Sequence, residues 1–190
     1  TAGISLGNAA PLAMQGDQSM PVSFETPDLY RWMGEDLGDD IGRTYRTMPL
    51  RSAAGEDDNL AFLKRTTMDA QLSSDQVRKA AAMSPLVQWP GGDLATQLRM
   101  VAAMIRSNMP TRVYYVTLGG FDTHANQQGS HQRLLRQVGD SLLAFNKELK
   151  AQDNDGRVLT MVFSEFGRRV GENGSGGTDH GTAAPMYLVG

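Results

Sequence analysis

Residues 157–190, RVLTMVFSEFGRRVGENGSGGTDHGTAAPMYLVG, most constrain what this chain folds into. They contain an apolar run, an acidic residue at its end, a glycine-rich loop, an Asp-His pair and a second apolar run. Residues 158–163 are apolar but for Thr160 over the length of a strand, so this reading places them at the centre of a sheet, covered on both faces. Upstream, RVYYVTLGGFDTH predicts a strand over residues 113–118. There Gly119-Gly120 lets the chain turn sharply into Asp122 and His124. Each strand thus delivers a carboxylate at or just beyond its C-terminal end, where open α/β sheets build metal and phosphate sites.

The segments between fit that frame. Residues 130–150 predict a long helix, because Leu134, Leu135, Val138, Leu142, Leu143, Phe145 and Leu149 recur at helical spacing. A helix joining two strands of one sheet implies a right-handed parallel crossover. Asp93 caps a second helix over residues 94–107, with Leu94, Leu98, Val101, Ala102 and Ile105 on one face. Residues 186–189 form the last strand. The expected fold class is α/β, with a mostly parallel sheet flanked by helices.

Residues 1–92 read as a loosely organised helical and loop part, and residues 93–190 as the sheet-forming part that carries the candidate site. Both belong to a single α/β domain over residues 1–190, expected to be incomplete. TAGISLG and PVSFET are extended pieces. Asp28 caps a helix with Leu29, Trp32, Met33 and Leu37 as its stripe. Residues 38–58 read as surface loop with a helical turn at most. A further helix starts at Asp58 or Asn59 and carries Leu60, Phe62, Leu63, Met68 and Leu72. Ser73-Ser74-Asp75 marks a fresh cap or a break in it.

Composition closes off several classes. A length of 190 residues with 40% apolar content is enough for a core of its own. The net charge of −3 and the lack of a basic run argue against nucleic acid as a partner. No apolar run is long enough to span a bilayer. With no cysteine, disulfides, thiolate zinc ligands and a cysteine nucleophile are excluded. The 11 methionines read as adaptable core filling.

The residues with chemistry are Asp122, His124, Glu165, Asp179 and His180. Imidazole nitrogens combined with carboxylate oxygens suit zinc, manganese or iron, whereas calcium prefers oxygen alone. Asp122 and His124 are two apart, so an extended segment projects both to one side. Glu165 stands where the central strand ends. Asp179-His180 follows a loop holding Gly171, Gly174, Gly176 and Gly177, whose backbone can fold close to an anion or a metal. Each fragment also has a plainer reading. An Asp-x-His is commonly a loop with a local turn bond, and Glu165 can pair with Arg168 or Arg169. Arg168, closer to Glu165, is the candidate for a substrate anion. His131 reads as a surface or supporting residue.

LGGFDTH, FSEFGR and GTDHG followed by AAPMYLVG resemble the bacterial domain-of-unknown-function family 1501, over residues 117–190. Proteins of that family are usually exported, and their sequences resemble the alkaline phosphatase and sulfatase superfamily. The resemblance implies an alkaline phosphatase-like fold, partial in this chain, with metals at the C-terminal strand ends. It gives Asp122 the part of an aspartate that binds one metal after its strand, and His180 that of the late histidine on the same metal. Glu165 stands where the superfamily has an Asp-His pair. The superfamily's Asp-x-x-x-His pattern falls on Asn126, so His124 takes that part instead. The implied activity is metal-dependent hydrolysis of small phosphate or sulfate esters, with zinc or manganese as the divalent metal. The resemblance implies that Asp122, His124, Glu165, Asp179 and His180 are ligands or near neighbours of the metal, with Arg168 on the anion; alternatively Asp179 orients His180 or caps the glycine loop. An exported or periplasmic location is implied as well.

No nucleophile is found. Thr47-Met48-Pro49-Leu50-Arg51 imitates the sulfatase Cys/Ser-x-Pro-x-Arg signature, but threonine cannot become formylglycine, and the match reads as coincidence. The expectation is of a chain lacking its N-terminal nucleophile segment and its C-terminal continuation, inactive by itself. The alternative is a non-catalytic binding or assembly module that keeps the fold, which the Asn126 and Glu165 departures favour. A purely structural sheet edge ranks third.

Overall fold

The computed structural model describes residues 3–16, 21–47 and 58–190. The chain forms two compact units, residues 1–83 with 107–115, and residues 84–106 with 116–190.

The first unit is built on a three-stranded sheet. Strands β1 (Gly3–Leu6), β2 (Val22–Phe24) and β3 (Val113–Val116) lie in the order β2-β1-β3. β1 and β2 run parallel, with Ile4 opposite Val22 and Leu6 opposite Phe24. All four β1 residues are buried, as expected of a middle strand. Gly7 N–H donates to Phe24 O at 2.9 Å, and the Ser23 hydroxyl donates to Gly7 O at 2.6 Å, extending the pairing past the strand ends. Phe24 stacks on Tyr30 at 5.0 Å.

Three expectations for this region change. Asp28 does not start an α-helix; a turn is followed by a 3-10 helix, Met33–Leu37, and Leu29, Met33 and Leu37 are exposed. Trp32 stacks on Tyr45 at 4.0 Å, but a stripe left mostly exposed does little to sustain an α-helix. The segment read as loop contains helix α1 (Asp39–Thr47), with Asp39 and Asp40 in the first turn and Arg46 in the last, the charge order that suits a helix dipole. Helix α2 (Asp58–Ala81) runs unbroken through Ser73-Ser74. Ser73 Oγ donates back to Ala70 O within the helix at 3.1 Å, and Ser74 Oγ donates to Tyr30 O, so both hydroxyls are satisfied without breaking the helix. Of the sulfatase look-alike, Thr47 ends α1, and residues 48–51 lie outside the described residues.

The second unit holds helices α3 (Asp93–Arg106) and α4 (Gln127–Ala151), packed on each other. α3 buries Leu94, Leu98, Val101, Ala102 and Ile105, the predicted face. α4 buries Ser141, Ala144, Phe145, Glu148 and Leu149, while Leu135 and Leu143 stay exposed. Glu148 is 2% exposed. Its carboxylate accepts from Leu86 N–H at 2.9 Å, Val87 N–H at 3.1 Å, the Trp89 indole at 3.3 Å and the Gln152 amide at 3.2 Å. Arg106 stands 3.7 Å away. The turn before α3 is thereby fastened to α4.

The largest departure concerns the strand expected at the sheet centre. β4 (Thr160–Phe163) pairs antiparallel with β7 (Met186–Val189), Phe163 opposite Met186. Between them, β5 (Gly167–Arg168) pairs antiparallel with β6 (His180–Gly181). β3 and β4 lie in separate sheets, so α4 is not a parallel crossover within one sheet. The chain instead doubles back twice in nested antiparallel ribbons, a pairing that short connections permit and parallel pairing does not. Met161 and Phe163 are about half exposed, 53% and 49%, so β4 is not covered on both faces. The architecture is mixed α/β with helices, parallel in the first sheet and antiparallel in the ribbons.

Candidate metal centre

Nested ribbons put His180 where the second unit needs it. Arg168 on β5 lies opposite His180 on β6, and Gly167 opposite Gly181. A Cβ on Gly181 would stand 2.6 Å from the Arg168 carbonyl carbon, so only glycine lets the two backbones approach this closely. The His180 ring stacks on Phe166 at 4.1 Å and 17°, which fixes its plane.

Across from it, the chain after Gly119-Gly120 presents Asp122 and His124 on one side, as their two-residue spacing predicts. Asp122 Oδ1 accepts from His180 Nε2 at 2.7 Å and from His124 Nε2 at 3.0 Å. The two imidazole rings lie 4.9 Å apart. Ligand atoms of Asp122, His124 and His180 all fall within 4.8 Å of one another, and all three residues are exposed. The His180 hydrogen bond, aided by that of His124, holds the Asp122 carboxyl below the usual carboxylate range against a smaller upward push from desolvation.

Arg168 braces the main chain around the site. Its Nη1 donates to Thr123 O at 2.7 Å and to Thr178 O, and its Nη2 donates to Phe121 O at 2.5 Å. The carbonyls on both sides of Asp122 are therefore held by one guanidinium. The planar fork suits this bracing of two loops, and it aims those donors at main chain.

The glycine loop is built around Asn173. Asn173 Oδ1 accepts from Ser175 N–H at 3.0 Å and Gly177 N–H at 3.1 Å. Its Nδ2 donates to His124 O at 3.0 Å and to Asp179 Oδ1 at 3.1 Å. Asp179 Oδ1 lies 3.8 Å from His124 Nδ1. The Asn173 bond, with help from Arg169 and His124, holds the Asp179 carboxyl below its usual range against desolvation. At Gly177 an added Cβ would stand 2.5 Å from the His124 carbonyl carbon and 2.9 Å from Ala125 N. The same loop caps α4, since Ser175 O and Gly176 O accept from Asn126 N–H and Gln127 N–H at 3.0 Å each. His131 sits behind the site, bonded to Thr123 Oγ1 at 2.9 Å and to the Gln127 amide at 3.0 Å.

Of the sequence-predicted residues, the fold gathers Asp122, His124 and His180, sets Asp179 beside His124, and leaves Glu165 outside the three-residue group. Asn173 and Phe166 were missed. An asparagine two residues before Ser175 in a glycine-rich loop is an Asx-turn signal, and it was there to be read.

The donor set fits a divalent ion. Tetrahedral zinc with bonds of about 2.0–2.2 Å needs ligand atoms about 3.3–3.5 Å apart. The observed 2.7 and 3.0 Å are about 0.3–0.8 Å short of that, and all three ligand atoms lie within 4.8 Å of one another, so the side chains must open around Asp122 to admit an ion. Two imidazole nitrogens and one carboxylate oxygen suit zinc or manganese.

A family model described as protein of unknown function (DUF1501) matches residues 47–190. No curated protein and no solved structure matches the chain.

Proposed function

Since the chain belongs to the DUF1501 family, whose description assigns no activity, we propose its function from the site: a divalent-metal centre that hydrolyses small phosphate or sulfate esters. The observation that carries the reading is the convergence of His124 Nε2 and His180 Nε2 on one oxygen of Asp122. Three protein donors fill a zinc site only partly, and an open position is the mark of catalytic rather than structural centres. When bound, the ion supplies Lewis acidity toward an ester oxygen and lowers the pKa of a coordinated water.

The protein's own part is to hold the three ligands in place. Arg168 fixes the main chain around Asp122, Phe166 fixes the His180 ring, and Asn173 fixes the main chain at His124. Exposure of the three ligands leaves the ion open to a solvent-borne anion. Zinc and manganese are the metals of choice. The family resemblance supports the ester class and a place of action outside the cytoplasm.

A thermal melt with zinc, manganese and chelator tests the metal, and ester panels on the native, full-length protein test the reaction. Metal should raise the melting temperature of the wild type and leave Asp122→Ala unchanged. A melt indifferent to metal contradicts the reading. Metal binding without phosphate or sulfate release moves it to a second one, a binding or assembly module. The exposed Met161, Phe163, Tyr187 and Leu188 of the β4–β7 ribbon favour that second reading.

A further inference from the structure

We propose that Asp179 is a positioning residue of the centre, facing Nδ1 of His124 and fixing the tautomer whose Nε2 binds the ion. This rests on the metal reading above and goes beyond it. Before an ion binds, His124 Nε2 donates to Asp122 Oδ1; ligation through Nε2 displaces that proton, and a neutral imidazole must then carry its one proton at Nδ1, where it needs an acceptor. The two ring nitrogens of His124 face two different carboxylates: Nε2 is 3.0 Å from Asp122 Oδ1, and Nδ1 is 3.8 Å from Asp179 Oδ1. Asp179 therefore stands on the side of the ring away from the ligand cluster, which separates its role from the direct ligation expected from the sequence.

The arrangement is built rather than incidental. One amide group, Asn173 Nδ2, donates both to Asp179 Oδ1 and to the main-chain oxygen of His124, so a single side chain sets the spacing between them. Asn173 is itself locked by Ser175 N–H and Gly177 N–H on its Oδ1, and its own N–H donates to Gly177 O at 2.8 Å. Gly177 closes the frame by lying against the His124 carbonyl. At 3.8 Å the pair is at ion-pair rather than hydrogen-bond distance. Both side chains are about half exposed, so neither is packed rigidly in place.

The test is the zinc dissociation constant, measured by competition with a chromophoric chelator. The proteins are wild type, Asp179→Ala, Asp179→Asn, His124→Ala and the double variant Asp179→Ala/His124→Ala. Removing the acceptor is expected to weaken zinc binding about 10- to 100-fold, the usual cost of losing an outer partner of a ligating histidine. Asp179→Asn, which keeps an acceptor oxygen, should weaken it less. In the His124→Ala background the loss of Asp179 should change nothing further. Asp179→Ala binding zinc as tightly as the wild type overturns the proposal. So does an equal loss in both backgrounds, which would make Asp179 a ligand itself or a merely structural residue. Absence of zinc binding in the wild type is a different failure, because it removes the metal reading on which the proposal stands.

Discussion

At the scale of single residues, the site depends on contacts that leave no room for change. Gly177 lies against the His124 carbonyl, where an added methyl group would meet backbone rather than the end of a flexible side chain. Gly177→Ala should therefore shift the loop off His124, lower the melting temperature and weaken zinc binding, read by a thermal melt and chelator competition. An unchanged zinc affinity would show that the frame around His124 is not needed. Arg168 makes a second such case. Arg168→Lys keeps the charge but loses the fork that holds Phe121 O and Thr123 O together. It should loosen Asp122 and reduce metal affinity, whereas a true anion-binding role would leave metal affinity intact and raise KM.

At the scale of elements, Glu148 decides how α4 is held to the turn before α3. Burial pushes its carboxyl up, but the Leu86 N–H, the Gln152 amide, the Trp89 indole and the Val87 N–H together bring it below its ordinary value. A lowered folded pKa means the stabilisation is present above the unfolded pKa and is lost as pH falls through the folded one. Glu148→Gln places an amide donor against main-chain N–H groups. It should cost about 1–3 kcal/mol at pH 7, the usual range for a buried polar group left unpaired. Denaturant unfolding of the two proteins should show that difference shrinking as pH is lowered past the folded pKa of Glu148. A difference independent of pH would mean the packing, not the carboxylate, matters.

Which elements were legible follows from where their partners come from. α3 was readable because Leu94, Leu98, Val101, Ala102 and Ile105 form a face that the fold buries. α1 was not, because Asp39–Thr47 has Ile41 as its one aliphatic side chain larger than glycine, and that side chain is exposed. β4 was readable as a strand but misplaced: an apolar run does not reveal its partner, and the pairing with β7 is made across residues 164–185. In the site, Asp122 and His124 were legible through their spacing, and His180 through its place after the glycine loop. Asn173 and Phe166 act through contacts that the folded loop creates, and so does the bracing of main chain by Arg168.

At the scale of the whole molecule, every member of the candidate centre belongs to the unit formed by residues 84–106 and 116–190. Zinc should therefore slow amide exchange in residues 116–190 and leave residues 3–16 and 21–47 as they were, which hydrogen-exchange mass spectrometry would show. Uniform slowing along the chain would point to a global rather than a local effect. Among the described residues no helix is long and apolar enough to cross a membrane. The measurement that bears most directly on the central claim is metal content by elemental mass spectrometry, after reconstitution with zinc or manganese and removal of excess ion. The account predicts about one ion per chain, the number that one three-donor site holds, retained in His131→Ala and falling well below one in Asp122→Ala, His124→Ala and His180→Ala, whose weakened binding does not survive removal of excess ion. No bound metal in the wild type, or equal metal in all of these proteins, would contradict it.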